Sequence, residues 1–380
     1  MTAVGAPVAV TWRGPDGAPL RADTAHTLTD GERRWPVVEG IPWLRPARDE
    51  LRERAVAALD RADPDSAAVV LLADADDWWD AAPPAPARLR AALRARTLSE
   101  AVDLLALGRV GRYFQHRWSD PSWLAALALT AAHPPARRPV VDLACGAGHL
   151  LRHLVRHGNP GATGVDVVFA KLWLARRFVL PPAAPVALVC ADLTAGWPLP
   201  TGGTPRHVAC HDALYFLPDK PAFVAAALDL AGPGGALLLG HLHNARHPAG
   251  RAGLPLDPDG WTALLPGATA YAEEELTGAA VAGRTPAPAD AAALAGTEAL
   301  GLARDEADAA ADPALVLPPA GSTLRRNPLY GHDGTRRWPD ERWATEYGTR
   351  AASYLPGRWP DTPGPDAARR RLLLDLPERW

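Results

Sequence analysis

Val140 to Leu150 reads VVDLACGAGHL. An apolar run enters Asp142, breaks into a turn holding Gly146 and Gly148, and gives way to a helical spacing of His149, Leu150, Leu151, Leu154 and Val155. A strand that ends in a glycine turn and opens a helix presents backbone N–H groups to an adenosine-containing ligand. The rest of the chain has to supply the partners of this unit.

Downstream the same alternation repeats. Asn159-Pro160-Gly161 turns into a strand at Ala162–Asp166, followed by a helical spacing of Phe169, Leu172, Trp173, Leu174 and Arg176. Strands are predicted at Val186–Cys190, running to Asp192, and at His207–His211, running to Asp212. A helix at Pro221–Ala231 and the turn Gly232-Pro233-Gly234-Gly235 lead to a further strand at Ala236–Gly240. Repeated strand–helix–strand units with short turns require a parallel sheet with helices on both faces, an α/β doubly wound fold. Leu315–Leu317 and Ser322–Leu324 flank Pro318-Pro319-Ala320-Gly321 and predict a hairpin that supplies the last two strands.

Composition narrows the function. The net charge of −3 and pI of about 6.5 leave no cationic excess for a phosphate backbone, so a nucleic-acid partner is not expected. Lys171 and Lys220 are the two lysines; arginine supplies the remaining cationic charge. Cys145, Cys190 and Cys210 show no C-x-x-C spacing, which argues against a zinc knuckle or a disulfide framework and suits a reducing, cytoplasmic location. Neither a signal peptide nor a membrane span is expected.

Asp142, Asp166 and Asp192 each end a strand in the same direction, which puts all three at the carboxyl edge of a parallel sheet, where such folds bind ligands. Asp166 follows Gly146 by 20 residues, a spacing that suits a carboxylate accepting ribose hydroxyls. A third glycine of a dinucleotide site is replaced by Leu151, and Asp142 inside the turn opposes a pyrophosphate but suits a sulfonium ligand with an amino-acid tail. The series DLACGAG, GVD, ADL and CHDALYF resembles the class I S-adenosylmethionine-dependent methyltransferase family over about residues 110–245. The resemblance implies a Rossmann-like sheet of seven strands and S-adenosyl-L-methionine as cofactor. It implies that Asp142, Gly146 and Gly148 hold the methionine part, with Cys145 in the same turn. Asp166 and Val167 would hold the ribose, and Asp192 and Leu193 the adenine. His211 would face the reactive methyl, and Tyr113, in the segment before the first strand, would close over the cofactor.

Outside this core the chain divides into residues 1–47, strand and turn in character; 48–134, helical; 135–330, the cofactor domain with an insertion at 245–313; and 331–380, a wrapping tail. A short strand is predicted at Val8-Ala9-Val10. WPVVEGIPWLRP, ending at Pro46, resembles the end of a small zinc-ribbon-like domain that is fused to, or partners, many methyltransferases. Without cysteines before Cys145 it is read as a metal-free β-ribbon for packing or for a protein partner. Tyr113, Phe114, His116, Arg117 and Asp120 either line a ligand site or are core aromatics beside a surface i,i+3 pair.

Acceptor-side candidates follow the fourth and fifth strands: His211, Asp212 and Tyr215, then His241, His243, Asn244, Arg246 and His247. His211, Asp212 and His243 are the candidates for a catalytic base. The spacing of His241, His243 and His247 lacks a committed carboxylate partner, and no metal is expected. Asn327, Tyr330, Trp338 and Tyr347 are either an aromatic lid or packing residues. The expected reaction is methylation of an O or N atom on a small-molecule or peptide-like acceptor. The alternatives are RNA methylation, aminocarboxypropyl transfer from the same cofactor, and a non-catalytic cofactor-binding scaffold.

Overall fold

The computed structural model describes residues 10–74, 82–247 and 253–380. The strand expected at Val8-Ala9 lies outside them, as do residues 248–252 of the expected insertion. The chain divides into two compact units: Met1–Gln115 with Pro139–Gly202 and Pro377–Trp380, and His116–Arg138 with Gly203–Leu376.

The first unit begins with an antiparallel ribbon of β1 (Arg21–Thr24), β2 (Thr27–Thr29), β3 (Arg34–Val38) and β4 (Ile41–Pro42). Trp35, Ile41 and Trp43 are fully buried, so the ribbon has a core face of its own. Five short helices follow: α1 (Asp49–Asp60), α2 (Pro64–Leu72), α3 (Pro86–Ala92), α4 (Leu98–Leu105) and α5 (Gly108–His116). Their starts are marked in the sequence. Asp63 accepts from the Ser66 N–H with Pro64 in the first turn, and Thr97 accepts from the Glu100 N–H. Three parallel strands come next: β5 (Val140–Leu143), β6 (Ala162–Asp166) and β7 (Val186–Cys190), with α7 (His149–Arg156) and α8 (Phe169–Leu174) between them. β5 and β6 are buried throughout, as expected of strands covered on both faces.

The ribbon has a definite structural task. Trp43 bridges to Cys190 in parallel register, and the Leu44 N–H donates to the Cys190 carbonyl at 2.7 Å. It therefore covers the outer edge of β7, whose unpaired backbone would otherwise be a template for association. Under it, the buried Asp74 carboxylate accepts from Arg45 at 2.8 Å and from the Trp43 indole at 3.2 Å.

The second unit begins with α6 (Pro121–Ala132), buried on every side and capped by Asp120, which accepts from the Trp123 N–H. β8 (His207–His211), α9 (Lys220–Ala231) and β9 (Ala236–His243) continue the parallel pattern. Then come α10 (Pro258–Leu264), β10 (Thr269–Ala272), α11 (Glu273–Ala282), α12 (Ala291–Gly296) and β11 (Ala299–Asp305). β11 lies antiparallel between β9 and β10. The tail contributes β12 (Arg325–Arg326), α13 (Glu341–Ala351) and β13 (Leu373–Leu374), with β12 and β13 paired. The large sheet has seven strands in the order β10-β11-β9-β8-β5-β6-β7, a Rossmann-like α/β arrangement in which β11 is inserted antiparallel between β10 and β9.

One expectation is corrected. The last two strands are β10 and β11, not the hairpin at Leu315–Leu317 and Ser322–Leu324. Pro313–Val316 is a single 3-10 turn and Ser322–Leu324 is irregular. The edge strands TAYA and ALGLARD contain one threonine as their only β-branched residue, so they lack the usual strand signal. Packing makes them strands: Gly301 leaves room for Leu129 and Leu276, which would lie 3.2 Å from a Cβ there. Among the described residues no helix is long and apolar enough to cross a membrane.

Candidate functional site

In the first unit, the chain reverses sharply after β5. Ala144, Gly146 and Gly148 all take left-handed backbone conformations (φ of 58°, 55° and 74°). The Cys145 N–H donates to the Val165 carbonyl at 2.9 Å, tying the turn to β6. Asp166 then joins the two strand ends. Its Oδ2 accepts from the Gly146 N–H at 2.9 Å, its Oδ1 accepts from the Val168 N–H at 2.9 Å, and Lys171 Nζ stands 3.4 Å from Oδ1. This carboxylate is buried and polarised at the end of a parallel strand.

Phe114 lies across the turn. A Cβ on Gly146 would stand 2.6 Å from its Cε1, so glycine is required there by both space and φ. The ring is held from behind: His149 Nε2 donates to the Phe114 carbonyl at 2.9 Å, and Tyr113 meets the ring edge-on at 5.4 Å.

The other expected cofactor residues fall into two groups. Asp142 is buried at the strand end, Val167 is half-buried, and Asp192 and Leu193 are half-buried in the loop after β7. Asp192 Oδ1 accepts from the N–H and the hydroxyl of Thr194, at 2.9 and 2.6 Å, which fixes the carboxylate's orientation. The Cys145 side chain instead packs inward, its Sγ 2.8 Å from where a Gly164 Cβ would stand. Burial, with Asp142 and Asp166 nearby, pushes its thiol well up, so it is not a nucleophile. Lys171 was missed by sequence reasoning; its position just after Asp166, as one of two lysines, was the available signal. The donor set fits an adenosine ligand carrying a cationic, amino-acid-bearing group: acidic strand ends, a glycine turn with no room for side chains, and no excess of cations.

In the second unit the expected acceptor-side residues converge. Asp212 and His241, at the ends of β8 and β9, both take left-handed conformations (φ of 59° and 56°), which cost non-glycine residues about 1–2 kcal/mol each. The His241 and His243 ring centroids are 4.6 Å apart, and His243 lies 4.5 Å from the Tyr215 ring. The Tyr215 hydroxyl donates to Asp212 Oδ1, and His241 Nε2 faces the same oxygen at 3.6 Å. Arg117 Nη1 stands 3.6 Å from Asp212 Oδ2 and donates to Asp120 at 3.1 Å. The Arg117–Asp120 pair is therefore buried, which corrects the reading of it as a surface pair.

Glu273, at the start of α11, is the residue the sequence hid. It is 1% exposed; its Oε2 accepts from His241 Nδ1 at 2.6 Å and its Oε1 accepts from Arg350 of α13. Burial opposes a charge on His241, but Glu273 and Asp212 outweigh it and raise its pKa to about 9. Burial and the neighbouring His241 lower His243 to about 4, and burial lowers His211 to about 3. Both His211 ring nitrogens are sealed from solvent without a hydrogen-bond partner. The ring lies on Gly240, where a Cβ would stand 2.1 Å from its Nδ1.

The tail helix closes on this cluster: Tyr347 stacks on Trp343 with centroids 5.4 Å apart, and Arg350 lies over Tyr347. Asn327 and Tyr330, just before the tail, hold its loops instead: Asn327 Nδ2 donates to the Arg371 carbonyl and the Tyr330 hydroxyl to the Pro356 carbonyl. Asn244 donates to the Thr297 carbonyl, and Arg246 pairs with Asp257 and Asp259.

Residues 140–235, which hold the glycine turn and strands β5 to β8, match a family model described as a methyltransferase domain. Among solved structures, the complex of the Haloferax volcanii Trm112 methyltransferase activator with a methyltransferase is 23% identical over 35% of this chain and 56% of that chain, at a TM-score of 0.29. An S-adenosylmethionine-dependent methyltransferase from Mesorhizobium loti is 24% identical over 34% of this chain and 58% of that chain, at a TM-score of 0.30. A third, from Thiobacillus denitrificans in complex with S-adenosyl-L-homocysteine, is 20% identical over 40% and 66%, at a TM-score of 0.31. The chain thus spans between about half and two thirds of the length of these structures. No curated protein matches the chain.

Proposed function

We propose that this protein is an S-adenosylmethionine-dependent methyltransferase acting on an O or N atom of a small-molecule or peptide-like acceptor. The observation that carries the reading is the Asp166 carboxylate, fixed by Gly146 and Val168 at the end of β6 inside a matched methyltransferase domain. Asp142 and the turn from Cys145 to Gly148 would hold the amino-acid part of the cofactor, Asp166 with Val167 the ribose, and Asp192 with Leu193 the adenine. The bound cofactor supplies an electrophilic methyl group on a sulfonium. The protein's own part is to bind, align and exclude water.

The residues expected on the acceptor side lie together within the second unit. His211, Asp212 and His243 are the candidates to take the proton of a hydroxyl or amine as it is methylated, although burial lowers the pKa of both histidines and so makes each a weak base. Asp212, steadied by Tyr215 and facing Arg117, orients the acceptor's polar end. The acidic net charge, −3, supports a small or peptide-like acceptor over RNA.

Incubating the full chain with methyl-labelled S-adenosylmethionine and a fractionated metabolite extract tests the reading. Label on a low-mass product, absent with Asp166→Ala, is expected. Label confined to RNA, or transfer of an aminocarboxypropyl mass, would replace it.

A further inference from the structure

We propose that Asp212, His241 and His243 form a binding site for one divalent transition-metal cation of the zinc class. This goes beyond the cofactor chemistry and does not depend on it; with the ion bound, Asp212 and His243 serve as its ligands rather than as acceptor-side base or orienting group. The three side chains offer two imidazole nitrogens and a carboxylate oxygen, all within 4.8 Å of one another. Two imidazoles and one carboxylate are the donor set of a three-ligand zinc site with a free fourth position, and imidazole favours zinc, iron or nickel over magnesium or calcium.

The sequence spacing alone lacked a carboxylate; folding brings Asp212 of the neighbouring strand end to it. His241 Nε2 stands 3.6 Å from Asp212 Oδ1. Bonds of about 2.0–2.1 Å to a tetrahedral ion place neighbouring donors about 3.4 Å apart. That pair already has about the separation the ion needs, and the His243 donor lies within 4.8 Å of both.

The site is also oriented. His241 Nδ1 donates to Glu273 Oε2 at 2.6 Å, so Nε2 is the atom directed at Asp212. In this structure Nε2 is buried and makes no hydrogen bond. A carboxylate on the far nitrogen is the usual support of a metal-bound histidine. Glu273 is held in turn by Arg350 of α13, which makes it a positioning residue rather than a ligand. Arg117 Nη1 faces the other oxygen of Asp212 at 3.6 Å, and the Tyr215 hydroxyl donates to Oδ1.

Cobalt(II) added to the metal-stripped full chain gives a direct readout that needs neither cofactor nor acceptor. One equivalent is expected to develop the intense visible absorption of four-coordinate cobalt, and zinc is expected to displace it at a one-to-one ratio. His243→Ala and Asp212→Asn, each judged on protein whose far-ultraviolet spectrum matches that of the unaltered chain, should weaken binding at least tenfold. Should Asp212→Asn not fold, His243→Ala alone decides the question. The proposal is overturned by absence of a stoichiometric cobalt spectrum on the unaltered chain. It is equally overturned by a spectrum that survives His243→Ala, which would place the ion on other histidines. Calorimetry with S-adenosylmethionine on the same samples reports the cofactor site separately.

Discussion

The Gly146 N–H and the Asp166 carboxylate, 20 residues apart in the chain, meet at 2.9 Å across the ends of two adjacent parallel strands. The bond ties the glycine turn to the acidic strand end, so the two halves of the proposed cofactor cradle hold each other in place. Replacing Asp166 by Asn removes the charge while leaving one acceptor oxygen. Hydrogen bonds to a charged group contribute about 1.5–3 kcal/mol. The expected result is therefore roughly ten- to hundredfold weaker S-adenosylmethionine binding by calorimetry, with a lowered melting temperature because one of the two backbone N–H groups loses its acceptor. Unchanged affinity would remove Asp166 from the site.

Gly146 also bears directly on Phe114. Gly146→Ala places a Cβ 2.6 Å from the Phe114 ring and forces an alanine to a φ of 55°. The left-handed conformation alone costs about 1–2 kcal/mol, and the clash adds to it. A melting temperature lowered by several degrees is expected. In a double-mutant cycle, Phe114→Ala should recover the part due to the clash but not the part due to φ.

Glu273 and Glu275 lie two residues apart on α11 and should behave very differently. Glu273→Ala leaves His241 and Arg350 buried without their shared carboxylate, and breaking a buried ion pair costs about 3–5 kcal/mol. Glu275 forms a partly exposed pair with Arg284, and Glu275→Ala should cost less than about 1 kcal/mol. Urea denaturation of the two variants measures the difference; equal effects would contradict the placement of Glu273.

The contrast shows where sequence reading stops. Strands β5 to β9 were legible because Val, Leu and Ile-like runs end in aspartate or glycine turns, and each short βα unit repeats the signal. β10 and β11 were not, because they hold one β-branched residue between them and are placed by pairing, β10 with β11 and β11 with β9. Asp142, Asp166 and Asp192 could be read as one set because a parallel sheet sends every strand end the same way. Glu273 could not: it opens the run Glu273-Glu274-Glu275, which in sequence is an ordinary acidic first turn. What singles it out is Arg350, 77 residues away. Arg117 and Asp120 have the spacing of a surface pair, and only the burial of α6 reveals them as interior groups.

Arg138 and Asp305 predict an acid-sensitive stability. Arg138 makes a two-pronged ion pair to Asp305, at 2.7 and 3.0 Å. Burial works against the Asp305 charge, but the Arg138 hydrogen bonds prevail and hold its pKa below the usual 3.8. The folded value lies below the unfolded one, so the pair stabilises the fold above 3.8 and that contribution fades as pH falls through the depressed value. Asp305→Asn should therefore be clearly less stable than the unaltered chain at pH 7, and the gap should narrow in acid. A gap that is independent of pH would assign the effect to packing.

The central claim is that the turn Val140–Leu150 and the carboxylates beyond it form an S-adenosylmethionine site. Isothermal titration of the full chain with S-adenosylmethionine, followed by displacement with S-adenosyl-L-homocysteine, tests it most directly. One saturable site per chain, displaced by the homocysteine product and weakened at least tenfold by Asp166→Asn, is the predicted result. A well-folded chain that binds neither compound would contradict the account.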